Sequence, residues 1–98
     1  MVKINWTPLA VEDLKDIHDY IALDSKRYAQ ITVAKIHFRV YNLEDQPYLG
    51  RVVPEFEDKT IRELISGNYR IIYLLKENDV VDIVRVFHSA RKLGKKNI

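Results

Sequence analysis

Apolar and polar residues follow two different periods along this 98-residue chain. Residues 2–6 alternate between the two classes, which predicts a short strand. Thr7 and Pro8 then predict a helix start, because Thr is a good N-cap and proline has no N–H to leave unpaired at the first helical position. Apolar residues follow at helical spacing, namely Ala10, Leu14, Ile17 and Ile21. They predict an amphipathic helix.

A second stretch of helical period follows almost at once. Asp24 and Ser25 interrupt the first pattern, and either residue can cap a new helix. The apolar positions of this second helix are Ala29, Val33, Ile36, Val40 and Leu43. Two amphipathic helices joined by so short a turn must fold back on each other, so we predict an antiparallel helical hairpin.

The last half of the chain has a strand-like pattern. The helical period stops before Pro47, and residues 44–59 have no sustained period. A loop this long in so small a domain is either functional or wrongly assigned as a loop. Strands are predicted at residues 60–65, 69–75 and 80–88, separated by turn-forming residues. The order β-α-α-β-β-β predicts an α+β fold, with a mostly antiparallel sheet and the helical hairpin packed on one face. The other face would be open to a partner or substrate.

Composition narrows the class of protein. The absence of cysteine excludes disulfides and thiolate metal sites. The longest apolar run, residues 71–75, is far shorter than the roughly 20 residues of a membrane span. The histidines at positions 18 and 37 have no metal-ligand spacing. We therefore expect a single domain over residues 1–98 that is cytoplasmic, with no metal, no cofactor and no membrane partner.

Positive charge is concentrated in the C-terminal third. Residues 1–60 carry eight Lys/Arg against ten Asp/Glu, whereas residues 61–98 carry eight against four. Four of those cations lie in the last eight residues, a basic tail over residues 89–98; they are Arg91, Lys92, Lys95 and Lys96. Such a field attracts phosphates or acidic protein segments, although a solvated tail would have the same composition.

Charged residues inside the predicted strands are the candidates for chemistry. Arg70 and Arg85 interrupt segments that otherwise suit a core, and a guanidinium cannot be buried unpaired. Each arginine therefore either pairs with a carboxylate, for instance that of Glu63 or Asp82, or faces the open side. The other candidates on the sheet and the loop before it are Arg51, Glu55, Arg62, Tyr69, Tyr73 and His88.

His88 could act as an acid or base at neutral pH. Whether it works with Arg70 depends on the turn between the last two strands. A two-residue turn at Asn78-Asp79 would put Tyr69 opposite His88 and direct Arg70 to the other face. A three-residue turn or a bulge would bring Arg70 and His88 to the same face. The sequence leaves both alternatives open.

Several segments, taken in order, resemble the RelE/ParE superfamily of type II toxins. The resemblance runs from about residue 4 to residue 93, nearly the whole chain, and no single segment is specific by itself. The matching segments are residues 6–10 (WTPLA), 50–55 (GRVVPE), 61–64 (IREL), 67–73 (GNYRIIY) and 85–91 (RVFHSAR). The β-α-α-β-β-β order is also that of the superfamily.

The resemblance implies a growth-arresting toxin that a cognate antitoxin neutralises by tight binding, in a hetero-oligomer. RelE-like members are ribosome-dependent endonucleases that cut mRNA. In their pattern Glu55 would be the base, Arg70 the phosphate clamp and His88 a second acid or base. The match is partial, because Ser89 follows His88 where that branch has Tyr, and a loop lysine pair is missing.

ParE-like members instead poison DNA gyrase by binding and need no catalytic set. For this branch the resemblance gives no set of catalytic residues, and we expect the target or phosphate contacts to come from Arg51, Arg62, Arg85 and Arg91. We favour the ParE-like interpretation because the nuclease set is incomplete. A degenerate member that only binds antitoxin is the third alternative.

Overall fold

Two helices lie on one side of a five-stranded sheet. The computed structural model describes residues 1–89 and residue 94. Its elements are β1 (Lys3–Trp6), α1 (Pro8–Ala22), α2 (Lys26–Tyr41) with a 3₁₀ turn at Asn42–Glu44, β2 (Arg51–Val52), β3 (Ile61–Ser66), β4 (Tyr69–Lys76) and β5 (Val80–His88). The predicted α+β fold is confirmed, and the strand limits differ from the predicted ones by one residue at most. The basic tail lies outside the described residues, apart from Ser89 and Gly94.

Both helices begin where the sequence predicts. The Thr7 side chain accepts a hydrogen bond from the Ala10 N–H, and Pro8 occupies the first helical position. The Ser25 hydroxyl accepts from the Tyr28 N–H at 3.0 Å, so Ser25 is the cap of α2. Each hydroxyl satisfies one of the N–H groups that a helix start leaves unpaired.

The sheet has the order β1-β5-β4-β3-β2. The three long strands are antiparallel neighbours, and β1 pairs in parallel with β5 at one edge. The second strand is absent from our prediction, because β2 is only two residues long and lies inside the segment expected to be loop. It pairs Arg51 with Glu63 and Val52 with Arg62 at the other edge.

The core lies between the helices and the sheet. Fully buried apolar side chains from α1, α2 and the three long strands meet there, among them Ala10, Ile36, Leu43, Ile71 and Ile83. A smaller apolar cluster forms on the opposite face of the sheet, around Val53, Ile72 and Phe87. Among the described residues, no helix combines the length and the apolar character that crossing a bilayer requires.

Candidate functional site

The sheet face turned away from the helices, called the distal face below, carries most of the predicted site residues. Residues directly opposite in a ladder share a face, and alternate residues of one strand do so as well. Arg70 is opposite Phe87, Ile72 is opposite Arg85 and Glu63, and Arg51 is opposite Glu63. These six side chains therefore share the distal face.

Arg70 is held by two carboxylates at once. Its Nη1 and Nη2 donate to the two carboxylate oxygens of Glu55 at 2.8 and 2.9 Å, and its Nε donates to Oε1 of Glu63 at 2.6 Å. The side chain is buried. Because the guanidinium is planar with fixed donors, this double engagement fixes its orientation. The hydrogen bonds that Arg70 donates to Glu55, followed by its contacts with Glu63, raise the pKa of Arg70.

Glu63 joins a second arginine to the same network. It is fully buried, and its Oε2 accepts from Nε of Arg51 at 2.6 Å. The Arg51 side chain is 64% exposed, so this end of the network reaches solvent. Two arginines and two glutamates leave the cluster with no net formal charge. It is therefore a neutral ion network rather than a patch of unbalanced positive charge.

A loop over residues 53–57 covers part of the distal face. Val53 is buried against Ile72 and Phe87, and Phe56 packs on the same cluster. The loop is closed by hydrogen bonds from Phe56 N and Glu57 N to the Val53 carbonyl. The expectation of an open face is therefore wrong here, because this covering loop brings its own apolar side chains and the carboxylate of Glu55 onto the sheet.

Arg85 pairs with an acid that the sequence analysis did not consider. Its Nε and Nη2 donate to the Asp13 carboxylate of α1 at 2.8 and 3.0 Å, and the same carboxylate accepts from Val86 N at 2.9 Å. The Asp13 hydrogen bond raises the pKa of Arg85. Arg85 also lies over the Phe87 ring, with Cζ 4.4 Å from the centroid. Asp82, the partner first suggested, instead contacts Asn5 and Lys76.

His88 lies on the helix-side face, away from Arg70. The turn contains three residues and β5 also has a bulge: Tyr73 pairs with Ile83, whereas Ile72 pairs with Arg85, which leaves Val84 as the extra residue. Either change alone would have put Arg70 and His88 on one face, but the two occur together and cancel. His88 is opposite Tyr69, and their rings meet edge to face at 5.9 Å.

The remaining predicted residues are scattered. Arg62 is on the helix-side face opposite Tyr73, where its Nε and Nη1 donate to the carbonyls of Lys59 and Gly50. Its Cζ lies 5.0 Å from the centroid of the Tyr48 ring. Arg91 lies outside the described residues. In residues 1–89 and 94, no three His, Asp or Glu side chains form a group that could hold a metal ion.

Chemically, the candidate general base Glu55 is paired with a cation. Both of its carboxylate oxygens accept from Arg70, and each oxygen keeps a further lone pair for a substrate hydroxyl. The residue across the ladder from Arg70 is Phe87, which cannot transfer a proton. Of the three predicted nuclease residues, the fold brings Glu55 and Arg70 together and directs His88 elsewhere.

Comparisons with known proteins identify the family. Residues 4–93 match the model of the family described as ParE toxin of type II toxin-antitoxin system, parDE. A curated relative, Toxin RelE2 of Caulobacter vibrioides, is 32% identical over 91 residues, which cover 93% of this chain and 99% of that protein.

Solved structures with the same fold agree. The chromosomal ParDE system of P. aeruginosa superposes with a TM-score of 0.74 at 25% identity, covering 90% of this chain and 96% of that one. The RelBE2 toxin-antitoxin complex of Mycobacterium tuberculosis superposes with a TM-score of 0.64 at 20% identity, covering 89% and 96%. With its fold and nearly its full length matched, the chain belongs to the ParE toxin family of type II toxin–antitoxin systems, within the RelE/ParE superfamily.

Proposed function

We propose that this toxin arrests growth by binding and poisoning DNA gyrase, and that it does not cut RNA. The observation that carries the proposal is the separation of the three residues that match the nuclease pattern. Glu55 and Arg70 are paired with each other on the distal face, and His88 is on the opposite face. A binding protein does not need these groups to converge.

The electrostatics of Arg70 favour the same conclusion. A phosphate clamp must offer its N–H groups to the incoming anion. Here Nε and both Nη atoms of Arg70 donate to Glu55 and Glu63, so a phosphate would have to displace carboxylates that are already in place. The family model, which is that of ParE toxins, supports the same branch.

A cognate antitoxin is the partner that we propose for the free toxin, in a hetero-oligomer. The solved relatives include a ParDE system and a RelBE2 toxin–antitoxin complex. The helical hairpin also carries an apolar groove of about 420 Å³ that a partner could fill, lined by Trp6, Val11, Leu14, Lys15, His18, Val33 and His37. Gyrase and ribosomes are both cytoplasmic, so the toxin would act there.

The RelE-like endonuclease remains the second candidate because of one specific observation. The curated relative named Toxin RelE2 is 32% identical to this chain over almost its full length. Under this alternative, Glu55 would act as the base while paired with Arg70, and His88 would have to act from the other side of the sheet.

Two assays run side by side test the proposal. The purified full chain is added to gyrase with supercoiled DNA, and to a translation extract in which cleavage of mRNA is mapped. We expect stabilised gyrase–DNA cleavage complexes and intact mRNA. Normal gyrase activity together with codon-dependent cuts would assign the chain to the nuclease branch. Normal growth of cells that express the folded chain would instead favour a degenerate member that only binds antitoxin.

Two substitutions sharpen the distinction. Glu55→Gln and His88→Ala change the matched catalytic groups at positions that are partly or fully exposed. We expect both variants to arrest growth as the unmodified chain does. A loss of growth arrest in both, with melting temperatures unchanged, would support a catalytic role. Asp16→Asn, which neutralises an exposed carboxylate of α1, is the matched control for Glu55→Gln.

A further inference from the structure

A small polar groove lies on the helix side of the molecule, between α2 and the turn that joins β3 to β4. Its volume is about 150 Å³. Its walls come from the first half of α2, from Ile21 of α1 and from the start of β4. The polar and aromatic residues that line it are Tyr28, Thr32, Lys35, Ser66, Asn68 and Tyr69. None of these residues belongs to the ion network on the distal face.

Two tyrosines give the groove an aromatic character. Tyr28 is 58% exposed, although large aromatic side chains are usually mostly buried. Tyr69 is half-buried, and its ring meets the His88 ring edge to face at 5.9 Å. The phenol of Tyr69 is neutral at physiological pH. Burial, with a smaller contribution from Tyr28, raises its pKa further above the ordinary value of about 10. The rings thus offer flat, uncharged surfaces beside solvent.

The charge around the groove has one sign. Among the described residues that line it, Lys35 is charged and none is acidic. Helix α2 carries Lys26, Arg27, Lys35 and Arg39 and no Asp or Glu. Lys35 also lines the neighbouring groove, together with Arg39. The α2 wall of the groove therefore attracts anions.

We propose that this groove binds one nucleotide of a single-stranded nucleic acid. A base would stack on Tyr28 and Tyr69, the side-chain amide of Asn68 and the hydroxyl of Thr32 would meet its polar edge, and Lys35 would bind a phosphate. Aromatic rings combined with cations are the usual means of binding single strands. The groove is smaller than the roughly 300–1,000 Å³ of a drug-sized pocket, which suits one base.

Two other occupants fit less well. A duplex keeps its bases stacked inside and has no free base to place against Tyr28. An acidic peptide would satisfy Lys35, but its carboxylates would leave the two rings without a stacking partner. The proposal goes beyond gyrase binding, because it concerns a direct contact of the toxin with nucleic acid, through a surface that the distal face does not share.

The test measures fluorescence anisotropy of a labelled oligoadenylate, as DNA and as RNA, with the purified full chain and no gyrase or ribosome present. We expect binding that weakens as KCl rises. Tyr28→Ala should reduce the affinity about 5- to 150-fold, the range that corresponds to one stacked base. Tyr28→Phe keeps the ring and should stay within about threefold. Lys35→Gln should lower the salt slope by about 0.7.

Exposed residues of the same helix provide the controls. Tyr41→Ala changes a tyrosine of α2 that does not line the groove and should leave the affinity unchanged. Lys26→Gln removes a lysine of α2 that does not line the groove, and it should lower the salt slope less than Lys35→Gln does. The proposal is overturned if Tyr28→Ala binds like the unmodified chain, if Tyr41→Ala has the same effect, or if no single strand binds at the lowest salt. Equal affinity for a hairpin duplex would also contradict it.

A parallel binding experiment with an acidic peptide distinguishes a protein ligand from a nucleic acid. If an Asp/Glu-rich peptide binds with the same dependence on Tyr28 and the oligonucleotide does not bind, the groove belongs to a protein partner and the proposal is wrong. Because gyrase is absent from the assay, a failure of the gyrase proposal leaves this measurement unaffected. Likewise, a failure of the oligonucleotide to bind leaves the result of the gyrase assay unaffected.

Discussion

Glu63 and Arg70 are diagonal neighbours on the adjacent strands β3 and β4, joined by a 2.6 Å hydrogen bond in a part of the sheet that excludes solvent. A buried carboxylate is strongly disfavoured unless it is paired. We therefore expect Arg70 to contribute to the stability of the fold, in addition to any binding or catalytic role.

Arg70→Ala should lower the free energy of unfolding by about 3–5 kcal/mol, because it leaves Glu63 buried with only Arg51 as partner. Urea denaturation followed by circular dichroism measures the change. Arg51→Ala is the control, and because the Arg51 side chain is largely exposed we expect a change within about 1 kcal/mol. An unchanged midpoint for Arg70→Ala would contradict this account. A loss of toxicity in Arg70→Ala could therefore result from unfolding as well as from the loss of a binding or catalytic group.

The double variant Arg70→Met, Glu63→Met should recover most of the stability lost in Arg70→Ala. Replacing a buried ion pair by apolar side chains of similar volume is often neutral or stabilising, because the desolvation of both charges is avoided. The same denaturation measurement tests it. A double variant no more stable than Arg70→Ala would mean that the network contributes net stability through its hydrogen bonds.

Asp13→Ala should destabilise the protein by about 2 kcal/mol, since it removes charged hydrogen bonds to Arg85 and to the Val86 N–H. These bonds join α1 to the part of β5 that β1 does not pair with. The melting temperature provides the measurement. Asp16→Ala, at an exposed position of the same helix, should melt within a degree or two of the unmodified chain. Equal effects of the two variants would refute a special role for Asp13.

Gly50→Ala should destabilise more than Gly67→Ala, for different reasons. A Cβ at residue 50 would clash with the Glu63 carbonyl oxygen and with the Tyr73 side chain, so the backbone would have to move, at a cost of about 3 kcal/mol. Gly67 has open space around it, but its φ of +57° is in the left-handed region, which costs alanine about 1–2 kcal/mol. Denaturant midpoints give the order, and the reverse order would show that β2 tolerates displacement.

Tyr73→Phe should destabilise by about 1–3 kcal/mol. The Tyr73 hydroxyl accepts from Gly50 N and donates to the Pro47 carbonyl, both at 2.9 Å, and its loss leaves these groups unpaired. Two β4 tyrosines, Tyr73 and Tyr69, have pKa values raised mainly by burial. Their contribution to stability is therefore complete below about pH 10 and is lost as the pH rises through the folded values.

Alkaline titration checks the direction in which stability changes with pH. The unmodified chain should lose stability above about pH 10, and Tyr73→Phe should show a shallower loss, since one of the two titrating groups is absent. Unfolding is followed by circular dichroism as a function of pH, with Tyr48→Phe at an exposed position as control. Identical pH profiles for Tyr73→Phe and the unmodified chain would argue that burial of Tyr73 does not control this transition.

Local signals in the sequence were sufficient for much of the fold. The caps Thr7 and Ser25 act within three residues of the N–H groups that they satisfy, so the helix starts could be predicted. Strand β2 could not be predicted, because two residues have no period of their own and its pairing with β3 is a contact distant in sequence.

The candidate site was predicted less completely, and the reasons are physical. The pairing of Arg70 with Glu63 was among the sequence alternatives, whereas the pairing of Arg85 with Asp13 joins residues 72 positions apart. No local pattern indicates that contact. The face of His88 depends on two irregularities whose effects cancel, and sequence reasoning considered each of them only alone.

The bulge at Val84 sets which side chain lies beside Arg70. With the register as it stands, Phe87 is in that place and His88 is next along the strand. Deleting Phe87 would move the imidazole directly across from the guanidinium and the Glu55 carboxylate. A single codon therefore separates a distal face with a phenyl ring across from Arg70 from one with an imidazole in that place.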